Sequence, residues 1–363
     1  MKLHLIISIL GILMFTSCDP FHTKVEDQEP QVQSYKANSI NITSLLPTSL
    51  KVATWNIKFG AGRIDVFFDC YGDRVLITEQ EVLDNMAALC LKIKQMNPDI
   101  IFLQEVDVDS KRSGYVDQVQ YILDHSDLNY GVYAAQWLAD YVPNHGIGQM
   151  NSGNAILSKY PLNSAQRIAL PLITEQSALE KYFYLRRNIL TANIMISSQT
   201  IELLATHTSA YSNDGTKTTQ IQIIKDRIAG LNANGQSFII GGDFNNIPPG
   251  TIKYCNFDDD VCADDSPFKL ASCEVLAKDL DVMKIFSEYN AAIPQDVYMQ
   301  NQDLYASFTS NKDGFWNRKL DYIFTNDSLI DGSGMVHQGV STGGMETMPL
   351  SDHAPISTIY LLK

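Results

Sequence analysis

Apolar residues recur along this chain with two different periods. Residues 51–57 and 99–103 alternate or run apolar over strand lengths, whereas Val82, Leu83, Met86, Leu89, Cys90, Ile93 and Met96 return every three or four positions. The second pattern follows Thr78-Glu79-Gln80-Glu81, a capping box, and stops at Asn97-Pro98, so it predicts one amphipathic helix between two strands. Further strands are predicted at 130–137, 155–158, 187–196, 201–206, 238–241, 320–325 and 356–361. A second helix is predicted over 217–231, with Ile221, Ile224, Ile228 and Leu231 on one face. Many strands, few helices and short gaps argue for a mixed α/β fold with large sheets, and no repeat of the length that marks a solenoid is visible.

The strands end oddly. In "SFIIGGDFNNIPP" an apolar run delivers Asp243 and Asn245 to its own end. "VATWNIKFG" ends in Asn56, "IIFLQEVD" in Glu105 and "LLATHTS" in His207, while "KLDYIF" carries Asp321 and "PLSDHAPI" sets Asp352-His353 before the last strand. A single residue of this kind is usually a turn-former. Gathered at one sheet rim, such groups form an oxygen-rich pocket that suits a hard divalent cation, Mg²⁺ or Mn²⁺, better than zinc. A cation of that type keeps room for water and phosphate oxygens, so a phosphate ester is the expected ligand.

Composition narrows the setting. The chain has 363 residues, 45% of them apolar, enough for one large domain, taken here as 49–363. A net charge of −14 offers no broad basic field, so nucleic acid is an alternative partner and not the favoured one. Residues 1–18 have the layout of an export signal: Lys2, an apolar stretch from Leu3 to Phe15, then Thr16-Ser17-Cys18. The cysteine resembles that of a bacterial lipobox, which makes Cys18 the lipidation site and the membrane a partner through it. Export to the cell envelope is then expected, with residues 19–48 as a flexible tether.

Five cysteines remain in the exported chain, and an oxidising compartment makes Cys255 with Cys262 the simplest pair. Cys90, on the apolar face of the first helix, is expected to be buried. The acidic stretch "NFDDDVCADD" lacks EF-hand spacing and reads as a solvated loop.

In order, "TWNIKFG", "LQEVD", "NSGNAILS", "ATHTS", "GGDFN", "KLDYIF" and "SDHAPI" resemble the endonuclease/exonuclease/phosphatase superfamily, from about residue 50 to the end. The resemblance implies a DNase I-like fold: a four-layer α/β/β/α sandwich with two mixed β-sheets and an active site at one end of them. It makes Asn56 and Glu105 the metal-site pair, with Asp352 a further carboxylate near the metal. It assigns Asp243 and Asn245 to the attacking water and the phosphate, His353 to the catalytic histidine and Asp321 to the carboxylate that orients it. His207 matches a second histidine, and Asn154 and Arg187 match positions near the scissile phosphate; Arg187 is preferred over Arg186 because only one of the two can face the pocket.

The expected reaction is metal-dependent hydrolysis of a phosphate ester by in-line attack of water, with Asp243 or the His353–Asp321 pair as base and one or two metals. "EVDVDSKRSGYVDQ" resembles a bacterial subgroup of metal-dependent hydrolases and points to Arg112 and Asp117 as rim residues. The inositol five-phosphatase signature is only faintly echoed around Trp316 and Arg318. Tyr71, Trp137, Tyr141 and Trp316 are stacking candidates for which core packing is the plainer role, and His125 and His145 match nothing. The alternatives are a secreted DNA or RNA nuclease and a non-catalytic surface binding protein on the same fold.

Overall fold

A computed structural model of the chain describes residues 32–41, 47–67, 69, 72–210, 212–257, 259, 273–339 and 346–363. The expected export signal with Cys18 lies outside the described residues, as do Cys70, Tyr71 and Cys262. The strands, in chain order, are β1 (Gln33–Lys36), β2 (Ser49–Asn56), β3 (Ile100–Asp107), β4 (Tyr130–Val142), β5 (Gly148–Ser158), β6 (Leu162–Ala169) and β7 (Asn188–Ile196). They continue as β8 (Gln199–His207), β9 (Ser237–Asp243), β10 (Asn290–Ala291), β11 (Asp321–Thr325), β12 (Met335–Val336) and β13 (Ile356–Leu361). The helices are α1 (Glu79–Met96), α2 (Gln118–Asp124), α3 (Ala178–Phe183), α4 (Thr216–Ala233), α5 (Cys273–Asp279) and α6 (Gln295–Gln300).

Two mixed sheets form, with strand orders β1-β4-β5-β3-β2-β13-β12 and β10-β11-β9-β8-β7-β6. Side chains two apart on a strand share a face, and that period builds the layers. Ala53, Trp55, Ile101 and Leu103 meet the apolar stripe of α1 on one outer face. Phe238 and Ile240 meet Ile221, Ile224 and Ile228 of α4 on the other. Leu50, Val52, Ile100, Phe102 and Ile156 pack across the middle on Leu190, Ala192, Leu203, Ala205, Ile239 and Ile323. The expected four-layer α/β/β/α sandwich is therefore the observed one. Thr78 closes its capping box at the start of α1, accepting from Glu81 N.

The central layer leaves little room at the "GGDF" strand. A Cβ on Gly241 would lie 2.4 Å from the Phe102 ring of the opposite sheet. Gly241→Ala is expected to lower unfolding free energy by about 1–3 kcal/mol, the usual range for overpacking a core, as read from urea denaturation.

Three expectations are corrected. Residues 33–36 are not tether but β1, which pairs with Tyr130–Tyr133 at the edge of β4. Its side chains are largely exposed, so main-chain bonds to an otherwise open edge hold it and no apolar alternation announces it. Cys255 pairs with Cys273, not with Cys262, because the first turn of α5 brings the later sulfur to a Cα separation of 5.4 Å. Asp259 of the acidic stretch is buried, not solvated: it pairs with Arg318 and accepts from Ser310 N at 2.9 Å and Asn317 Nδ2 at 2.9 Å.

Cys90 is free and buried. Opening the disulfide, which spans 18 positions, is expected to cost about 3 kcal/mol by loop entropy and to lower the melting temperature in dithiothreitol or in Cys255→Ser/Cys273→Ser. No helix among the described residues is long and apolar enough to cross a membrane.

Candidate active site

The strand period that fills the central layer also aims the polar ends. Asn56 keeps the parity of Leu50 and Val52, Asp243 that of Ile239, His207 that of Ala205, Asp321 that of Ile323 and Asn154 that of Ile156, so all face between the sheets. Register puts them at one end: His207 pairs with Asp243, Asp243 with Asp321, and Ile356, three residues after His353, with Thr54. Glu105 breaks the parity. It sits at a register shift in β3 with φ 55°, a left-handed bulge that turns its carboxylate towards Asn56 instead of out onto α1.

The bonds at this end form one connected set. Asn56 Nδ2 donates to Glu105 Oε1 at 3.0 Å and to Asp243 Oδ2 at 3.1 Å. The Asn245 backbone N–H donates to Asp243 Oδ1 at 2.9 Å, and Asn245 itself has φ 46°. His353 Nδ1 lies 2.8 Å from Asp321 Oδ2, which also accepts from Ser307 Oγ at 2.6 Å. His353 Nε2 and His207 Nε2 lie 3.5 and 3.4 Å from the same Asp243 oxygen.

Arg187 is buried and donates to Gln136 Oε1 at 3.1 Å, whereas the neighbouring Arg186 turns to the Lys181 carbonyl. Asn154 Nδ2 reaches Asn188 Oδ1 at 3.3 Å. The residues expected to hold the metal or the phosphate lie in or beside one cluster, with Arg187 and Asp352 joined to it through their charges on Asp243 and Glu105. Glu105, Asn245 and Asp352 are the partly exposed members, which marks the side from which solvent reaches it.

Charge in this buried space is unevenly balanced. Burial raises the Glu105 carboxyl above its usual range and the Asp352 charge raises it further, against a lowering by Asn56, Arg112 and His353. Burial also raises Asp243. On His353 burial acts downward, but Asp321, Asp243 and Asp352 outweigh it and hold the imidazolium up to about 10. His207 is pushed well below its ordinary value by burial and by the Arg187 and His353 charges, so it is neutral. Burial acts upward on Asp352, yet Lys58, His353 and Arg63 bring it below the usual carboxylate range.

Buried polar atoms without a protein partner concentrate here: Asn154 Oδ1, Arg187 Nε, His207 Nδ1 and Asp321 Oδ1. Such atoms ordinarily mark a place for a bound group. Two donor sets are available to a cation. One is the buried Asp243, Asp321 and His353, whose ligating atoms lie within 4.8 Å of one another. The other is Glu105 with Asn56 and Asp352, whose two carboxylates repel each other across the opening. Hard oxygen donors fit a divalent cation beside Glu105, where the two carboxylates repel, whereas in the other set a cationic His353 already offsets the carboxylates.

Several contributors carried no sequence signal. Ser307 fixes Asp321, Gln136 fixes Arg187, Ser351 Oγ donates to the Asn56 carbonyl at 2.7 Å, and Trp55 Nε1 to the His353 carbonyl at 2.8 Å. Lys58, with φ 45°, places its ammonium 2.9 Å from Asp69 and 3.9 Å from Asp352; its position just after Asn56 was the available clue.

The rim expectation is corrected: Arg112 is buried behind Glu105, forked onto Asp107 at 2.8 Å and lying 3.7 Å from the Phe59 ring centre, and Asp117 caps α2. Trp137 and Trp316 are buried, and Tyr141 is exposed. His125 and His145 lie elsewhere, stacked on Tyr121 and Phe67.

Two facing sheets with an acid, amide and imidazole cluster at one end define a class of phosphoester hydrolase. The chain belongs to the endonuclease/exonuclease/phosphatase family, whose model matches residues 53–353. Members of that family hydrolyse phosphoesters and generally use a divalent metal.

Solved structures share the fold. The endonuclease/exonuclease/phosphatase from Beutenbergia cavernae is 16% identical with a TM-score of 0.54, over 87% of this chain and 72% of that one. A family protein from Bacteroides thetaiotaomicron is 11% identical with a TM-score of 0.54, over 87% and 96%. One from Leptotrichia buccalis is 16% identical with a TM-score of 0.52, over 86% and 100%. No curated protein matches the chain.

Proposed function

We propose that the chain is an envelope-anchored, Mg²⁺-dependent phosphoesterase that hydrolyses a phosphate ester by in-line attack of water, Mn²⁺ being able to replace Mg²⁺. The observation that carries this reading is the single bonded set of Asn56, Glu105, Asp243, His207, Asp321 and His353. Glu105, Asn56 and Asp352 are the proposed holders of the cation, since His353 and Asp321 already satisfy each other. When bound, such an ion withdraws charge from a phosphoryl oxygen and stabilises the leaving oxygen.

The protein groups divide the remaining work. Asp243, its carboxyl raised by burial and oriented by the Asn245 N–H and by Asn56, accepts the proton of the attacking water. His353, held cationic by Asp321, and the Arg187 guanidinium stabilise the negative charge that grows on the phosphoryl group. Neutral His207, Asn245 and Asn154 position the phosphate through polar atoms. The disulfide supports export, since such bonds persist in oxidising compartments, and Cys18 is the proposed lipid attachment point.

A substrate panel on the full-length chain tests the reading, comparing bis-p-nitrophenyl phosphate, p-nitrophenyl phosphate, phospholipids, inositol phosphates, DNA and RNA with Mg²⁺ and with EDTA. Turnover of at least one small ester with Mg²⁺, lost in EDTA and in His353→Ala, is the expected result. No turnover of any ester, or full turnover in His353→Ala, contradicts it. Palmitate labelling lost in Cys18→Ser is the expected result for the anchor.

A further inference from the structure

A cavity of about 100 Å³ opens beside the cluster just described. Asn245, Phe308 and Leu320 form its inner side. Each belongs to the catalytic end: Asn245 binds Asp243, Leu320 precedes Asp321, and the Phe308 ring centre is 4.7 Å from that of His353. The outer side comes from the irregular section after Pro249, through Tyr254, Phe257, Leu276 and Leu280. Cys255 lies next to Tyr254, and Cys273 starts the helix that carries Leu276, so the disulfide ties the two outer walls together.

The charged residues lining this cavity are paired with opposite charges. Lys217 Nζ sits 3.2 Å from Asp279 and 3.1 Å from the Asn245 carbonyl. Arg318 pairs with buried Asp259 and lies between the Phe257 and Phe308 rings, 4.3 and 5.0 Å from their centres. A ligand that brought its own charge would break one of these pairs, and leaving a buried charge unpaired is costly. An uncharged apolar group needs no such exchange and gains the burial of its surface. The volume is below that of the roughly 150 Å³ apolar cavity that admits benzene, which sets one ring as the upper limit and excludes a fused ring system.

We propose that this cavity is a substrate subsite for one uncharged, ring-sized apolar group, aromatic or alicyclic, attached to the phosphate hydrolysed next door. The inference deepens the phosphoesterase reading and rests on it. It separates this chain's substrate from inositol phosphates, whose ring carries hydroxyls and further phosphates in place of an apolar surface, and makes the disulfide-tied section the element that selects the ester.

Phenylphosphonate and methylphosphonate test the subsite, because neither has an ester bond to hydrolyse and they differ only in the group offered to the cavity. Both are titrated calorimetrically into the full-length protein with Mg²⁺. In the wild type, phenylphosphonate is expected to bind at least about tenfold more tightly, as the burial of one ring allows. Leu276→Trp, which fills the cavity, and Tyr254→Ala, which opens its wall, are each expected to cut that preference to threefold or less.

Equal affinities, no binding of either compound, or variants that both keep the full preference overturn the subsite. A preserved preference in a protein that turns over no phosphate ester would instead remove the hydrolase reading and leave the cavity's selectivity standing.

Discussion

Glu105→Gln is expected to lower kcat/KM for a reactive phosphate ester by a factor of about 10³ or more and, in the same protein, to raise the melting temperature measured in EDTA. The first effect follows from removing the carboxylate proposed to hold the cation, a loss at least as large as that of one transition-state donor. The second follows from electrostatics. The ionised carboxylate is disfavoured by burial and by the Asp352 charge, so the metal-free fold carries a strain that glutamine lacks.

The sign of the pH dependence is fixed by the direction of the shift. Between the ordinary glutamate value of 4.5 and the raised folded value, the folded state binds more protons than the unfolded one, so stability falls as pH rises through that window. The wild type should show that fall and Glu105→Gln should not, with a difference in melting temperature on the order of 2–4 °C per kcal/mol relieved. Mg²⁺ should close the gap by stabilising the wild type alone. Such a trade of stability for function is common at catalytic sites.

Asp321→Asn is the second large effect. Asp321 Oδ2 holds His353 Nδ1 at 2.8 Å, and this carboxylate is the leading opponent of the burial that would otherwise discharge the ring. A carboxamide keeps the shape but loses the charge and allows the wrong tautomer, a change that in a histidine–aspartate pair costs about 10³–10⁴ in rate. The pair also stabilises the fold. His353 is raised from 6.5 to about 10, so its contribution is fully present below 6.5 and is lost as pH climbs towards 10. Urea denaturation should therefore show the largest gap between wild type and Asp321→Asn near pH 6, and a narrower one near pH 9.5. A gap that widened with pH would contradict a cationic His353.

The layers and most of the site were legible because both follow from the same two-residue period. The apolar parity that buries Leu50, Val52 and Ile239 between the sheets also aims Asn56 and Asp243 there, and the motif strings around them fixed their order along the chain. What stayed hidden depended on pairing across long separations or on main-chain bonds. β1 is held by the edge of β4 and shows no apolar alternation. Ser307 and Gln136 are ordinary polar residues until the fold brings them to Asp321 and Arg187.

Arg112 had the charge of a ligand-binding residue and the partner of a structural one, since Asp107, five residues upstream, takes its fork. Cys255 chose the farther cysteine because helix geometry, not spacing, sets which sulfurs meet. The Glu105 bulge is the instructive case: strict alternation would have sent this carboxylate to the wrong face, and the left-handed backbone at φ 55° reverses it.

Anomalous diffraction from crystals soaked in Mn²⁺ tests the convergence of these side chains most directly. The expected result is one strong peak within bonding distance of the Glu105 carboxylate, next to Asn56 and Asp352, absent in Glu105→Gln. A sole peak on the Asp243, Asp321 and His353 cluster, or no peak at this end of the sheets, would contradict it.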